Sequence, residues 1–396
     1  MADIDFTKDT QMGRARLALL RRLIDTVALP ASAIAPQERA LAGDILLDMM
    51  FHTDDQARRL CAERLVDTVE APRRLMRYLA QCTISIARLL LEENTSYNES
   101  DLVDIIKSTT IEHRIVIASR RQVSVMEVEA LIEFEEPQVI RDLLNNSGAR
   151  ISEVAMDRIV MLSRDLDDLC SLLVQREELA PAQAMAMFWW SDGPSRKIIL
   201  TKYAADRKML IDRCSDVFEI MNDENWTDPV ARKAIQTIER RQRNRAAIER
   251  SEYASLEEAI DVAASSGMSP SLVSEIGYIA GMKPISVAKV VSDLGGEGLA
   301  VLCKATGLKR HHLRALWRSL RRPEMLDDGL EHPQLSYVVE IYDTLSVAKA
   351  QTVLRYWNWS LTGTGLSGDN AISEEDEVAE ELFSTMKRTA SLVFGT

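Results

Sequence analysis

Residues 87–93 of the chain read ARLLLEE, and three later stretches have the same order of apolar and polar positions: RIVIASR at 114–120, IRDLLNN at 140–146 and CSLLVQR at 170–176. Their equivalent apolar residues are Leu90, Ile117, Leu143 and Leu172, which gives spacings of 27, 26 and 29 residues. Each copy fits one amphipathic helix, because its apolar residues recur with helical periodicity. We therefore expect these four side chains to be buried at equivalent positions on successive helices.

A second helix follows each copy. After a polar turn, an amphipathic segment begins at a residue suited to the start of a helix: Asn98, Ser124, Ser152 and Pro181. An earlier copy, RRLCAERL at 58–65 with Pro72 opening its second helix, fits the same scheme. A helix pair of this kind cannot bury its apolar face alone, so successive pairs must stack. The sequence thus predicts an all-α fold in which a helical-repeat solenoid is followed by a second helical region.

The repeats divide the chain into five segments. We predict an N-terminal helical cap over residues 1–55, two-helix repeats over 56–205, a charged connecting helix over 206–255, a C-terminal helical region over 256–360, and an acidic, partly flexible tail over 361–396. The connecting helix is predicted from the strongly basic stretch 228–250. The tail is predicted from a Gly/Ser/Thr-rich stretch that precedes the acidic run 374–377.

Composition excludes several classes of protein. A hydrophobic fraction of 46% in 396 residues is too high for a disordered chain, and the low counts of glycine (16) and proline (11) favour helix. The five cysteines are odd in number, far apart and surrounded by apolar residues, which indicates reduced thiols in the cytoplasm. The first residues do not show a basic region followed by an apolar one, and no apolar run approaches the roughly 18 residues of a membrane span. We therefore expect a cytoplasmic protein without membrane insertion, and the net charge of −13 disfavours general coating by nucleic acid.

The phrase LAVLCKATGL at 299–308, together with the repeats, is similar to a bacterial family. The other stretches that carry the similarity are EHR at 112–114 leading into IASR at 117–120, LLNN at 143–146 followed by ARIS at 149–152, and LVQR at 173–176. With these stretches the chain resembles the family called domain of unknown function 2336, over roughly residues 40 to 360. The resemblance implies an α-solenoid of HEAT-like repeats, and it implies no activity, cofactor or catalytic residue.

Motifs for metal or phosphate chemistry are weak in this sequence. The five histidines offer no pair spaced for one helix face, and no cluster of cysteines or carboxylates accompanies them at ligand spacing, so we predict no metal site and no cofactor. The run Gly295-Gly296-Glu297-Gly298 lacks the Lys-Ser/Thr ending of a P-loop and any preceding strand. We interpret it as a tight turn before the helix at Leu299.

Polar residues of the repeat helices are candidates for lining the groove of the solenoid. They are His113, Arg114, Arg120, Asn145 and Arg176. For His113, which lies near the start of a repeat helix, a capping or partly buried structural role is the alternative, and it is favoured.

The helix predicted over residues 309–322 has the sharpest local pattern. At 100° per residue, four arginines share one face of this helix, and the apolar side chains, Trp317 among them, share the adjoining face. The arginines are Arg310, Arg314, Arg318 and Arg321. We expect Trp317 to be buried and the first three arginines to be exposed together. If carboxylates of the same chain occupy these arginines, the stripe is structural and needs no external anion.

Three classes of function remain open. The first is a non-enzymatic scaffold or adaptor that binds another protein through a solenoid groove or the basic helix, because solenoids present long concave surfaces. The second is a DNA-binding protein that uses a helix-turn-helix-like hairpin at 301–322, where seven basic residues and no acidic ones occur. The third is an enzyme whose site assembles only in space; a cluster of perturbed titratable groups in a deep pocket would indicate it. We favour the first, and we expect no enzymatic activity.

Overall fold

Helices make up the regular structure of this protein. The computed structural model describes residues 10–30, 32–68, 70–93, 97–225, 227–239 and 245–360. Within these ranges there is no strand, only two isolated bridges, Val123 with Ala149 and Met325 with Glu331. The all-α prediction is confirmed. The predicted tail at 361–396 lies outside the described residues. No helix in the described part of the chain combines the length and the apolar character needed to cross a membrane.

The chain forms two compact units, residues 1–179 and 180–396. The helices of the first unit are α1 Thr10–Val27, α2 Pro36–Met50, α3 Asp55–Leu65, α4 Arg73–Ala80, α5 Ile84–Glu93, α6 Glu99–Ser108, α7 Ile111–Ala118, α8 Val125–Ile132, α9 Pro137–Asn145, α10 Glu153–Leu162 and α11 Leu169–Leu173.

Alternate helices of the first unit pack against each other in sequence. The helices α3, α5, α7, α9 and α11 form one series of contacts, and α4, α6, α8 and α10 form a second. Adjacent members of the two series also touch, as α4 does with α5 and α8 with α9. This is the order of contacts that stacked helix pairs produce. The HEAT-like class of these repeats stays a prediction.

The caps of the second helices follow the sequence. The side chains of Asn98, Ser124 and Ser152 each accept a hydrogen bond from a backbone N–H in the first turn of the helix that follows, and so satisfy a donor that the helix itself cannot. Leu90, Ile117 and Leu143 are fully buried, as predicted. For the fourth copy, the predicted buried position is wrong by one residue.

Leu172 is only half-buried, and its neighbour Leu173 takes the buried position. The helix that holds them, α11, has five residues, against eight to ten in α5, α7 and α9. Because α11 is short and begins from a different turn, the residue that faces the core lies one position later than in α5, α7 and α9.

The second unit has thirteen α-helices among its described residues and a π-helical turn at Ile199–Tyr203. The helices are α12 Pro181–Met187, α13 Gly193–Ile198, α14 Lys208–Arg213, α15 Ser215–Asp223, α16 Pro229–Glu239, α17 Arg245–Ile248, α18 Leu256–Ser266, α19 Pro270–Ile279, α20 Pro284–Ser292, α21 Glu297–Thr306, α22 Arg310–Ser319, α23 Pro333–Thr344 and α24 Val347–Ser360. At the centre of its core, α21 packs against α20, α22, α23 and α24, and the side chains from Leu299 to Cys303 are fully buried.

The segment 206–255 differs from its prediction. Instead of one connecting helix, its described residues form four helices, α14 to α17. Asn225 has a left-handed backbone with φ 54°, and Pro229 occupies the first turn of α16, where its missing N–H does no harm. Both features separate α15 from α16.

Candidate interaction surface

Residues 323–332 connect α22 to α23 in a tight turn, which we call the 323–332 loop. The amide of Leu326 donates to the carbonyl of Leu330 at 2.8 Å, and the amide of His332 donates to the carbonyl of Glu324 at 2.8 Å. The sequence favours this turn, because Gly329 adopts φ 81° and the carboxylate of Asp328 accepts from the amide of Leu330 at 3.0 Å. Backbone pairing thus fixes the loop from both ends.

Large apolar side chains of this loop face solvent. Met325 is 58% exposed and Leu330 is 64% exposed, with Leu326 exposed between them. Asp327 and Asp328 lie at the tip and are exposed as well. The sequence analysis missed the three apolar residues; their only signal is their position on both sides of an Asp-Asp-Gly turn.

The arginines of the basic helix hold this loop and the next helix. Arg318 pairs with Glu324 at 3.1 Å, and Arg314 pairs with Glu331, so the carboxylates that flank the exposed tip are both bound to α22. Arg310 reaches Asp343 of α23 at 3.6 Å. Trp317 is fully buried, as predicted.

The exposure of the arginines agrees in part with its prediction. Arg310 and Arg318 are exposed, whereas Arg314 is half-buried. Arg321 is exposed and lies just past the end of α22, with a left-handed φ of 57°. Three of the four predicted anion-binding residues therefore already hold carboxylates of their own unit, which is the condition under which the stripe is structural.

The pKa of Glu331, at the end of the loop, agrees with the pairing of this residue with Arg314. Glu331 accepts a hydrogen bond from the hydroxyl of Ser336 at 2.7 Å. That bond, and then the pairing with Arg314, hold the pKa of the Glu331 carboxyl below its usual range. The ionised form is the one that these contacts stabilise.

The glycine run at 295–298, where α21 begins, forms the tight turn that the sequence predicts. Gly296 has φ 83°, and a Cβ placed on it would lie 2.7 Å from the ring of Trp317. Only glycine both adopts this positive φ readily and leaves room for the ring of Trp317. The turn brings Asp293 and Glu297 together on the side of Arg196 from α13.

These three residues form a buried cluster, which we call the carboxylate cluster. A terminal guanidinium nitrogen of Arg196 donates to Asp293 at 2.7 Å and to Glu297 at 3.1 Å. Burial, and then the neighbouring Asp293, raise the pKa of Glu297. Burial lowers the pKa of Arg196, but the two carboxylates outweigh that effect and the net pKa is raised. Both carboxylate side chains are 3% exposed, so a substrate has no direct access to them.

Arg322 closes the cluster from the end of α22. It is buried and donates to the backbone carbonyls of Asp293 at 2.7 Å and Val291 at 3.3 Å. Its guanidinium also lies over the ring of Trp317, 4.9 Å from the centroid. Burial lowers the pKa of Arg322 to about 10. The start of the loop is thus fixed to the core of the second unit.

In the first unit, the residues predicted for a groove lie largely between the repeats. His113 is buried, and its Nε2 donates to the carbonyl of Cys82 at 2.9 Å, which leaves Nδ1 to accept from the hydroxyl of Thr110. Arg114 donates to the carbonyl of Thr109 at 2.6 Å and binds Glu136 with both arms of its guanidinium. The structural alternative for His113 agrees with this geometry.

Of the other three groove candidates, two bond to the preceding repeat and one is exposed. Arg120 is half-buried and donates to the carbonyl of Leu91, and Arg176 is buried and donates to the carbonyls of Asn146 and Ala149, each at 2.8 Å. Asn145 is exposed, and its amide only returns to the backbone of its own helix.

The sequence analysis missed the residue next to it. The amide of Asn146 donates to the carbonyls of Ala118 at 2.8 Å and Arg120 at 2.7 Å, and its oxygen accepts from the amide of Gly148. A polar side chain two residues before a glycine is the signal for such a turn. Asn146 therefore joins successive repeats, as Arg120 and Arg176 do.

Comparison with known proteins matches the chain to a family model. The family model described as "Uncharacterised protein conserved in bacteria (DUF2336)" matches residues 86–355, which is more than half of the chain. The chain belongs to the DUF2336 family. The matched range of DUF2336 contains the inter-repeat arginines, the carboxylate cluster and the 323–332 loop, whereas α1 to α4 precede it. No curated protein and no solved structure matched the chain. In the described residues, no group of three or more His, Cys, Asp or Glu could hold a metal ion.

Proposed function

We propose that this member of DUF2336 is a non-enzymatic adaptor that binds another protein through its 323–332 loop. The observation that carries the proposal is the exposure of Met325, Leu326 and Leu330 on a loop whose two ends are fixed by hydrogen bonds and ion pairs. Large apolar side chains grouped in this way on a surface are typical of a protein interaction site.

The fixed backbone favours binding. A loop that is already ordered loses little conformational entropy when a partner covers it, so more of the apolar contact energy appears as affinity. Pairing of Arg314 and Arg318 with the carboxylates that flank the tip supports this order. The proposal thus gives the basic stripe an indirect role, in which it positions the loop.

The charged residues at the tip of the loop indicate which kind of surface a partner has. Asp327 and Asp328 are exposed beside the apolar side chains. Carboxylates at the rim of an interface attract a partner with a basic rim and repel an acidic one. We propose a partner whose apolar pocket accepts Met325 and Leu330 and is bordered by lysine or arginine. A duplex DNA backbone, which is itself anionic, is disfavoured at this tip.

The test replaces the apolar tip and leaves the fold intact. Met325→Ser with Leu330→Ser in the full chain removes the proposed anchors, and Met209→Ser is the matched control because Met209 is 72% exposed on α14 of the same unit. A photo-reactive residue at position 326 is crosslinked in the native cytoplasm. We expect one dominant adduct in the parent and control proteins, and at least about tenfold less in the double variant, because apolar anchors dominate binding energy.

Two outcomes would remove the proposal. One is an adduct pattern that the double variant leaves unchanged. The other is an adduct that is lost equally from the control, since that result would place the binding site elsewhere in the unit.

A further inference from the structure

The first helix pair of the first unit, α1 and α2, exposes apolar side chains at the end of the stack. Among the described residues, α1 packs mainly on α2 and α3, and α2 packs mainly on α1 and α4, so the next pair lies on one side of it. Leu19 of α1 is 50% exposed, and Leu41 and Ile45 of α2 are 63% and 43% exposed. A terminal repeat that faces water alone has a polar outer surface. The three apolar residues therefore indicate an interaction surface.

The exposed residues of α2 form one stripe on the side away from α4. At about 100° per residue they lie within about 80° of one another. They are Glu38, Leu41, Ile45 and Asp48. Gly43 lies about 140° or more from each of them, and it contacts the start of α4, because a Cβ at Gly43 would lie 2.5 Å from the ring of Pro72. The stripe thus faces away from the rest of the stack.

A second exposed stripe lies on α1. Ala15, Leu19 and Arg22 are exposed and fall within about 60° of one another around the helix. Asp25 of the same helix pairs with Arg64 of α3 and so marks the side that faces the next pair. Leu19 lies about 120° from Asp25 around the helix, and is therefore turned away from α3.

Unpaired charges of opposite sign accompany the two stripes. The exposed arginines Arg14, Arg21 and Arg22 belong to α1, and the exposed carboxylates Glu38 and Asp48 belong to α2. Within the described ranges none of these five has an ion-pair partner, whereas exposed charges do pair from α1 to α3 and from α2 to α4. A basic helix beside an acidic one makes the end of the stack complementary to itself, since a second copy supplies both charges.

We propose that the exposed face of α1 and α2 binds the same face of a second copy of this chain, in a dimer with two-fold symmetry. A two-fold axis parallel to the helices sets α1 of each copy over α2 of the other, so arginines meet carboxylates and the apolar residues lie between them. An axis across the helices would set α1 on α1 and bring like charges together. The dimer does not depend on the 323–332 loop, which belongs to the other unit.

The alignment of α1 with α2 decides which residues of the two copies face each other. A side chain bonds to a backbone carbonyl near each end of the pair: Arg16 to His52 at 2.7 Å, and Arg39 to Leu29 at 2.6 Å. With this alignment, Arg22 and Asp48 differ in height by only about 3 Å along the antiparallel helices. A two-fold axis parallel to the helices keeps these heights. Arg22 of each copy therefore faces Asp48 of the other.

The size of the face indicates how strong the dimer is. Two helices about 25 Å long and about 10 Å apart offer a face of about 500 Å² on each copy. Both copies together bury about 1,000 Å², which is near the lower limit for a specific interface. We therefore expect a dimer that dissociates on dilution.

The experiment is sedimentation velocity of the full chain from about 1 µM to about 200 µM. We expect the average mass to rise from that of one copy to that of two. Arg22→Glu and Asp48→Arg should each weaken the dimer at least about tenfold, because symmetry places like charges together at two points. An equimolar mixture of the two variants should form dimers again, since each copy then offers the charge that the other lacks.

Two further variants test the apolar contact and the choice of face. Leu41→Ser with Ile45→Ser should stay monomeric over the same range of concentration, because it removes the apolar centre of the interface. Arg59→Glu is the matched control, since it reverses an exposed arginine on α3, and it should dimerise as the parent does. Melting temperatures measured on every variant identify a loss of folding.

The proposal is overturned if the parent stays monomeric over the whole range, or if the double serine variant dimerises as the parent does. A mixture of the two charge variants that forms no dimer would overturn the placing of α1 over α2. If the parent is monomeric and a chain without residues 1–9 dimerises, those residues cover the face in place of a second copy.

Discussion

The indole Nε1 of Trp317 donates a hydrogen bond of 3.0 Å to the carbonyl oxygen of Pro323, and so joins the buried face of α22 to the first residue of the 323–332 loop. Trp317→Phe removes this donor and leaves a space beside Gly296. We expect a loss of about 1–3 kcal/mol in the free energy of unfolding, measured in urea. Hydrogen exchange at the amides of Leu326 and His332 should rise with it. The half-buried Trp190, replaced by Phe, is the control, and equal exchange in both variants would contradict the coupling.

The pair Arg314–Glu331 allows a charge-reversal test. Arg314→Glu places two carboxylates together and should lower the free energy of unfolding by about 1 kcal/mol, since the pair is only partly exposed. Adding Glu331→Arg should recover most of that loss. Arg321→Glu should have no effect, because Arg321 has no carboxylate partner among the described residues. A double variant no more stable than Arg314→Glu would show that the pair does not stabilise the loop.

Local patterns in this sequence predict local structure well. Asn98, Ser124 and Ser152 start helices because a capping side chain acts on amides two or three residues away. The glycine run at 295–298 was correctly predicted as a turn for the same kind of reason. The error at Leu172 arose because apolar periodicity fixes a helix face only when the helix is long enough to average over its ends.

Contacts that depend on distant residues could not be predicted. The helical pattern places Arg314 and Arg318 on one face, but nothing in it shows that the chain turns back and brings Glu324 and Glu331 to them. The same holds for Arg176, whose backbone acceptors belong to the preceding repeat. A stripe of charge on a helix thus indicates which residues need a partner, and the fold decides which partner they receive.

Glu297 should make stability depend on pH in the direction opposite to most carboxylates. Because its pKa is raised in the folded state, the folded protein binds the proton more tightly than the unfolded chain does. The contribution of Glu297 is therefore present at acid pH and is lost as the pH rises through its folded pKa. Glu297→Gln keeps an acceptor for Arg196 and removes the charge. The difference in free energy of unfolding, variant minus parent, should rise from pH 4 to pH 7.

A matched substitution isolates that effect. Glu63→Gln, which changes an exposed carboxylate on α3 that pairs with Arg59, is the control measured in the same way. A difference for Glu297→Gln that falls with pH would mean that pairing with Arg196 outweighs burial at this site.

Arg176 should be among the most sensitive positions of the first unit. Its side chain is 9% exposed, donates to the carbonyls of Asn146 and Ala149, and binds Glu178 with two nitrogens. Arg176→Ala leaves the carbonyls without their donor and should lower the free energy of unfolding by about 3–5 kcal/mol. Arg176→Lys should recover only a part, because an ammonium cannot reproduce the planar fork. The exposed Arg164, replaced by Ala, should cost less than about 0.5 kcal/mol. Urea unfolding followed by circular dichroism measures all three, and a loss below about 1 kcal/mol for Arg176→Ala would show that these bonds do not hold the repeats together.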